Sequence, residues 1–142
     1  MKKILILAGG YSKEKEISIQ TARSVIFELN KDKKYILKVV NPDGQFIKAL
    51  RKFKPNVVLN LLHGRYGEDG YIQAILESEK VKYTHSGVLS SSLAIDKELS
   101  KKIFIKNKIL TPKFLKFSFK KKIKRKLKFP VVVKPLNEGS SV

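Results

Sequence analysis

The sequence predicts an α/β domain built on a doubly wound parallel sheet. Three observations predict it. Nearly continuous apolar runs at residues 4–8, 35–40 and 56–61 read as strands buried on both faces rather than strands with one wet face. Segments with apolar residues at helical spacing alternate with those runs, the pattern of βαβ units. Polar, glycine-bearing loops follow the first and third runs, where ligands bind in open α/β sheets.

Each element follows in order. Residues 4–8 form a strand ended by Gly9-Gly10, whose backbone freedom permits a sharp turn. Ala22, Val25, Ile26 and Leu29 mark a helix over 17–29. Residues 35–40 form the second strand, closed by the turn signal Asn41-Pro42-Asp43-Gly44. Phe46, Ala49, Leu50 and Phe53 mark a short helix, and 56–61 is the third strand. Glu68-Asp69-Gly70 opens a helix carrying Ile72, Ile75 and Leu76, its acidic residues suited to the positive end of the helix dipole. Residues 81–84 are expected to add a fourth strand. The small residues of 86–92 suit a strand-to-helix transition. A first domain over 1–95 is expected, followed by 96–142 as the incomplete beginning of a second. There, 97–107 reads as a helix broken by Thr111-Pro112, and 114–117 and 129–134 read as strands. Phe119, Ile123 and Leu127, spaced by four, suggest a short basic helix between those strands.

The absence of cysteine excludes disulfides and thiolate chemistry. No apolar run approaches the ~18 residues of a membrane span, so a cytoplasmic protein without a membrane role is expected. The net charge of +19 raises the question of a polyanion partner. Lysine far outnumbers arginine, however, and arginine is the preferred reader of bases and phosphates. Lysine-coated solvent faces account for the charge better, and a nucleic-acid-binding module is the weaker alternative.

Several residues stand out chemically. Glu16 lies at the mouth of the first helix, where a carboxylate either holds a ligand's ammonium group or simply complements the dipole. His63 sits in Leu62-His63-Gly64-Arg65-Tyr66-Gly67-Glu68-Asp69-Gly70, either as a donor to a carboxylate or as a structural polar group. Arg65 with Glu68 and Asp69 suggests an internal ion pair. Lys97 either reaches a phosphate or is an ordinary solvated lysine. Lys134 ends an apolar run, where a buried cation is costly unless it meets an anion. The Glu138-Gly139-Ser140-Ser141 stretch after it offers backbone N–H groups and hydroxyls for phosphate. Neither a Walker A loop nor a dinucleotide fingerprint is present.

Together these segments resemble the D-alanine–D-alanine ligases of the ATP-grasp superfamily. The matching residues are Gly9-Gly10 with Ser12, Glu14 and Glu16-Ile17-Ser18; the block from Leu62 to Gly70; Tyr83-Thr84 with Ser86-Gly87-Val88; Ala94-Ile95-Asp96-Lys97 with Ser100-Lys101; and Pro130-Val131-Val132-Val133-Lys134-Pro135 with Glu138-Gly139-Ser140-Ser141-Val142. They fall in the family's order along nearly the whole chain. The resemblance implies ATP-dependent joining of two D-alanines through an acyl phosphate, for peptidoglycan synthesis and cell wall biogenesis. It implies that Glu16 holds the ammonium of the first D-alanine and His63 lies beside its carboxylate. Ser140 then belongs to a hydrogen-bond network linking Glu16 to the catalytic loop, and Lys97 and Lys134 contact ATP phosphates. Mg2+ or Mn2+ is implied, with its ligands beyond Val142, as is a homodimer of the complete protein. On this expectation the chain is an N-terminal portion, inactive alone. Ligation of D-alanine to D-lactate or D-serine is the alternative within the family. His85 departs from a position where the family commonly has glycine.

Overall fold

The computed structural model describes residues 1–118 and 129–138. Its centre is strand β1 (Lys2–Leu7), whose successive side chains point to opposite faces. Leu5 and Leu7 pack with Phe46, Leu50, Val58, Leu62, Ile72 and Leu76 on one face. Ile4, Ile6 and Ala8 meet Ala22, Ile26 and Leu29 on the other. Two-sided burial is why the run 4–8 contains no polar residue.

Three parallel strands lie in the order β2-β1-β3, with β2 at Tyr35–Val40 and β3 at Val57–Asn60. Lys2 to Leu7 pair in register with Tyr35 to Val40, and Ile4 to Leu7 with Val57 to Asn60. Helix α1 (Lys15–Leu29) joins β1 to β2, and α2 (Phe46–Phe53) joins β2 to β3. The chain steps to one side of β1 and then back across it. Right-handed crossovers in opposite directions put α1 and α2 on opposite faces, which is the doubly wound arrangement expected. Helix α3 (Tyr71–Ser78) shares the α2 face through Ile72 and Leu76.

Helices α4 (Val88–Ile95) and α5 (Lys97–Lys106) follow. The serine-rich segment is thus a full helix rather than only a transition into one. Ser91 Oγ and Ser92 Oγ donate to the Ser86 and Asp69 carbonyls at 3.1 and 2.7 Å, tying α4 to the loops around it. Asp96 caps α5, its Oδ1 accepting from the amides of Glu98 and Leu99 at 2.9 Å each.

Three expected strands need correction. Residues 81–84 contribute a single parallel bridge, Val58 to Tyr83, rather than a strand. Residues 114–117 and 129–134 are irregular, and Val132 and Val133 are 80% and 73% exposed. An apolar run becomes a strand only when a neighbour takes its backbone hydrogen bonds, and no described strand pairs with these. The helix expected around Ile123 lies outside the described residues. No described helix is long and apolar enough to cross a membrane.

Candidate functional site

Strand β1 sends its connection toward β2, whereas the chain leaving β3 moves the other way, to Tyr83. In open α/β sheets the place for a ligand crevice is such a reversal, here beyond the carboxyl ends of β1 and β3. The loops at 8–14 and 61–70 follow those two strands.

Two serines fasten these loops together. Ser18, fully buried on α1, accepts from Gly9 N at 2.9 Å and donates to the Leu61 carbonyl at 2.6 Å. Ser12 Oγ donates to the His63 carbonyl at 2.7 Å and accepts from Glu14 N at 3.1 Å. Gly10 N donates to Asn41 Oδ1 at 2.9 Å, bringing in the end of β2.

The second loop is built on Asn60, which is 2% exposed. Its Oδ1 accepts from Leu62 N at 3.2 Å and its Nδ2 donates to the Gly67 carbonyl at 2.9 Å. Buried Gln73 donates to the same carbonyl at 2.9 Å. Gly67 admits no side chain, because a Cβ there would overlap Leu62 Cβ and lie 3.1 Å from its carbonyl carbon. The acidic residues of the block serve the loop. Glu68 Oε2 accepts from Gly64 N at 2.7 Å, and the two Asp69 oxygens accept from Tyr66 N and Tyr71 N at 2.9 and 3.1 Å. The expected ion pair with Arg65 does not form; the Arg65 guanidinium lies 5.2 Å from the Tyr66 ring centre.

His63 lies on the second of these loops with its side chain one-third exposed. Its Nδ1 is 3.8 Å from Glu68 Oε1 and its Nε2 is 3.4 Å from Thr21 Oγ1. Thr21 spends its own hydrogen on the Ile17 carbonyl at 2.8 Å, so the Nε2 nitrogen is the one that donates across that gap.

The two glutamates of the first loop have different environments. Glu16 is exposed. At 3.6 residues per turn Glu16 lies about 160° around α1 from Ser18, whereas Thr21 lies within about 60° of Ser18 and Glu14 is the residue that precedes the helix. Glu14 is only 6% exposed. Its carboxylate rests against Gly64, where a Cβ would come within 2.7 Å of Oε2 and φ is +68°. Among the described residues no donor reaches the Glu14 carboxylate. The motif points to Glu16; its phase on α1 opposite Ser18, and the burial of Glu14 just before the helix, separate the two.

Lys97 Nζ donates to the Glu138 carbonyl at 2.5 Å, and Lys97 N donates to the Leu136 carbonyl at 3.1 Å. Lys13 Nζ lies 3.7 Å from Glu138 Oε2. Residues 136–138 are therefore held between the first loop and the start of α5. Lys134, two residues earlier, is exposed, and Ser140 lies outside the described residues. Among the described residues no three His, Cys, Asp or Glu side chains cluster.

No family model matches the chain. Curated relatives do. A D-alanine–D-alanine ligase of Pelagibacter ubique is 60% identical over 148 residues, covering 99% of this chain and 48% of that protein. One of Zymomonas mobilis is 42% identical, covering 99% of this chain and 44% of its own length. A crystal structure of the Bacillus anthracis D-alanine–D-alanine ligase superimposes with a TM-score of 0.82 at 36% identity, over 100% of this chain and 48% of that one. The same enzyme complexed with ATP gives a TM-score of 0.73 at 34% identity, over 87% of this chain and 42% of that one. The chain spans about half the length of the curated relatives it matches. In sequence and in fold it is homologous to the D-alanine–D-alanine ligases over that half.

Proposed function

We propose that this chain supplies the first-substrate site, and part of the ATP phosphate site, of an ATP-dependent D-alanine–D-alanine ligase that serves peptidoglycan synthesis. Residues 1–95 form its substrate-binding domain, and 96–142 begin the nucleotide-binding one. The complete protein acts in the cytoplasm, as a homodimer, with Mg2+ or Mn2+ held by residues outside this chain.

The supporting observation is Glu14, a residue only 6% exposed whose carboxylate lies against Gly64 with no hydrogen-bond donor among the described residues. A carboxylate held at a sheltered position with its acceptor capacity unused is suited to a charge-assisted hydrogen bond from a ligand cation. The ammonium of D-alanine is such a cation, and it is small enough to approach where Gly64 has no side chain. Glu14 therefore takes the role that the motif suggested for Glu16. His63 lies beside the amino acid's carboxylate and donates to it.

A carboxylate is a poor electrophile, and phosphorylation by ATP gives it a leaving group. The amine of the second D-alanine then attacks the acyl phosphate, and the tetrahedral adduct expels phosphate. Lys97 and Lys134 offset the negative charge of the phosphates. Ser140 extends the hydrogen-bond network from the first loop toward the rest of the site.

Titration of D-alanine into the chain, read from backbone amide resonances, tests this. The Glu14→Gln substitution keeps the shape and removes the charge. Hydrogen bonds to charged groups contribute about 1.5–3 kcal/mol, so D-alanine affinity should fall at least tenfold, while Glu16→Gln should change it less than twofold. Equal losses in both variants, or equal binding of L-alanine, would contradict the assignment.

A further inference from the structure

We infer that His85 is a positioning residue: its unprotonated Nδ1 accepts a hydrogen bond from Asn60 Nδ2 and thereby fixes the loop that carries His63. This contact is independent of which ligand the crevice takes.

The argument begins with the backbone. His85 has φ +105°, a conformation that side-chain-bearing residues rarely adopt and keep only when their surroundings hold them. The hold is visible on both sides of Asn60. Thr84 Oγ1 accepts from Asn60 N at 3.1 Å, and His85 Nδ1 lies 3.1 Å from Asn60 Nδ2.

The direction of that second bond follows from the rest of the network. Asn60 Oδ1 accepts from Leu62 N, and Nδ2 donates to the Gly67 carbonyl. These two bonds fix which end of the amide is which. The atom facing His85 is therefore an N–H donor, and Nδ1 must offer its lone pair. The ring proton sits on Nε2. Protonation of Nδ1 would set one N–H against another and break the contact.

Two titratable groups face the ring, both on the loop after β3. Glu68 favours its protonation and His63 opposes it, while burial, the largest influence, disfavours the charged form and holds the ring below the ordinary histidine value of 6.5. No other charged group contributes to its electrostatics among the described residues. The latch is therefore closed at neutral pH and opens only as the pH falls below the ordinary histidine range. Once Asn60 is released from His85, the Leu62 amide loses a fixed partner while Gln73 still holds the Gly67 carbonyl, and the start of the loop bearing His63 and Gly64 loosens.

Nitrogen-15 NMR of the imidazole rings tests the tautomer, and amide hydrogen-exchange protection at Leu62 tests the consequence. At neutral pH, His85 Nδ1 should resonate as an unprotonated acceptor. Leu62 protection should fall at least tenfold as His85 protonates. Glycine and asparagine both tolerate positive φ, so two variants separate hydrogen bonding from backbone strain. His85→Gly removes the acceptor and should lower Leu62 protection at every pH, without a step. His85→Asn restores an acceptor that does not titrate, and should keep protection at neutral pH and abolish the acid step. A proton on Nδ1 at neutral pH would overturn the inference. So would a protection step in His85→Gly matching that of the unaltered chain.

Discussion

Replacing Ser18 with alanine should separate the two loops that line the crevice. Ser18 is fully buried, and its hydroxyl is both the acceptor for Gly9 N at 2.9 Å and the donor to the Leu61 carbonyl at 2.6 Å. Alanine leaves Gly9 N unpaired in the interior and the Leu61 carbonyl unpaired at a half-buried position. A buried polar group left unpaired costs about 1–3 kcal/mol, so the loss should be roughly 2–5 kcal/mol for the pair. A global stability of about 5–15 kcal/mol is typical of a domain, so the variant should still fold. Alanine also gains up to about 0.5 kcal/mol of helix propensity, and a control removes that contribution. Ser24 lies on the exposed side of the same helix, with its hydroxyl 3.3 Å from the Gln20 carbonyl. Ser24→Ala makes the same chemical change without the buried links. Urea unfolding followed by circular dichroism gives both values. Ser18→Ala should be less stable than Ser24→Ala by at least ~2 kcal/mol. A difference within ~0.5 kcal/mol, the scatter of ordinary surface substitutions, would refute the idea that this hydroxyl staples β1 to β3.

Gly67→Ala should cost at least ~1–3 kcal/mol by overpacking, since its Cβ would overlap Leu62; Gly44→Ala, with nothing within 4 Å of its Cβ, should cost little. Parallel urea melts of the two variants check the contrast. Glu98 pairs with Lys102 on its own helix at 2.8 Å and joins α5 to Lys116 at 2.6 Å, and its hydrogen bonds to those two lysines hold its carboxyl down at about 2. The folded value lies below the ordinary 4.5, so the unfolded chain binds the extra proton between them and stability rises with pH across that window. The link should be complete above about pH 4.5 and lost as pH falls toward 2. Carbon-13 NMR of the Glu98 carboxyl should follow that course, and Glu98→Gln should remove this acid-dependent step from the melting profile.

Much of the fold was legible because burial leaves a pattern in the residues. Ile4 to Ala8 contain no polar side chain because both faces of β1 are covered, and Gly9-Gly10 marks the strand end unambiguously. The site was legible as a region, since the polar loops follow the two strands between which the winding reverses. Its internal assignment was harder. Glu14 and Glu16 are chemically identical and two residues apart. Only the phase of α1, set by burial of Ser18, shows that one turns inward and the other outward. Glu68 and Asp69 looked like partners for Arg65, but unsatisfied loop amides lie closer in sequence and claim them. Residues 129–134 illustrate a different limit. Their apolar run resembles that of β1, but an apolar pattern states a need for burial without naming the neighbour that would meet it. The role of His85 could not be read at all before the Asn60 amide was oriented by its other two bonds.

Intermolecular nuclear Overhauser contacts between bound D-alanine and the chain test the account most directly. The alanine methyl and α protons should show contacts to residues 12–14 and 63–64, at the carboxyl ends of β1 and β3. Saturable binding with contacts elsewhere, or none to either loop, would contradict the existence of a composite amino-acid site there.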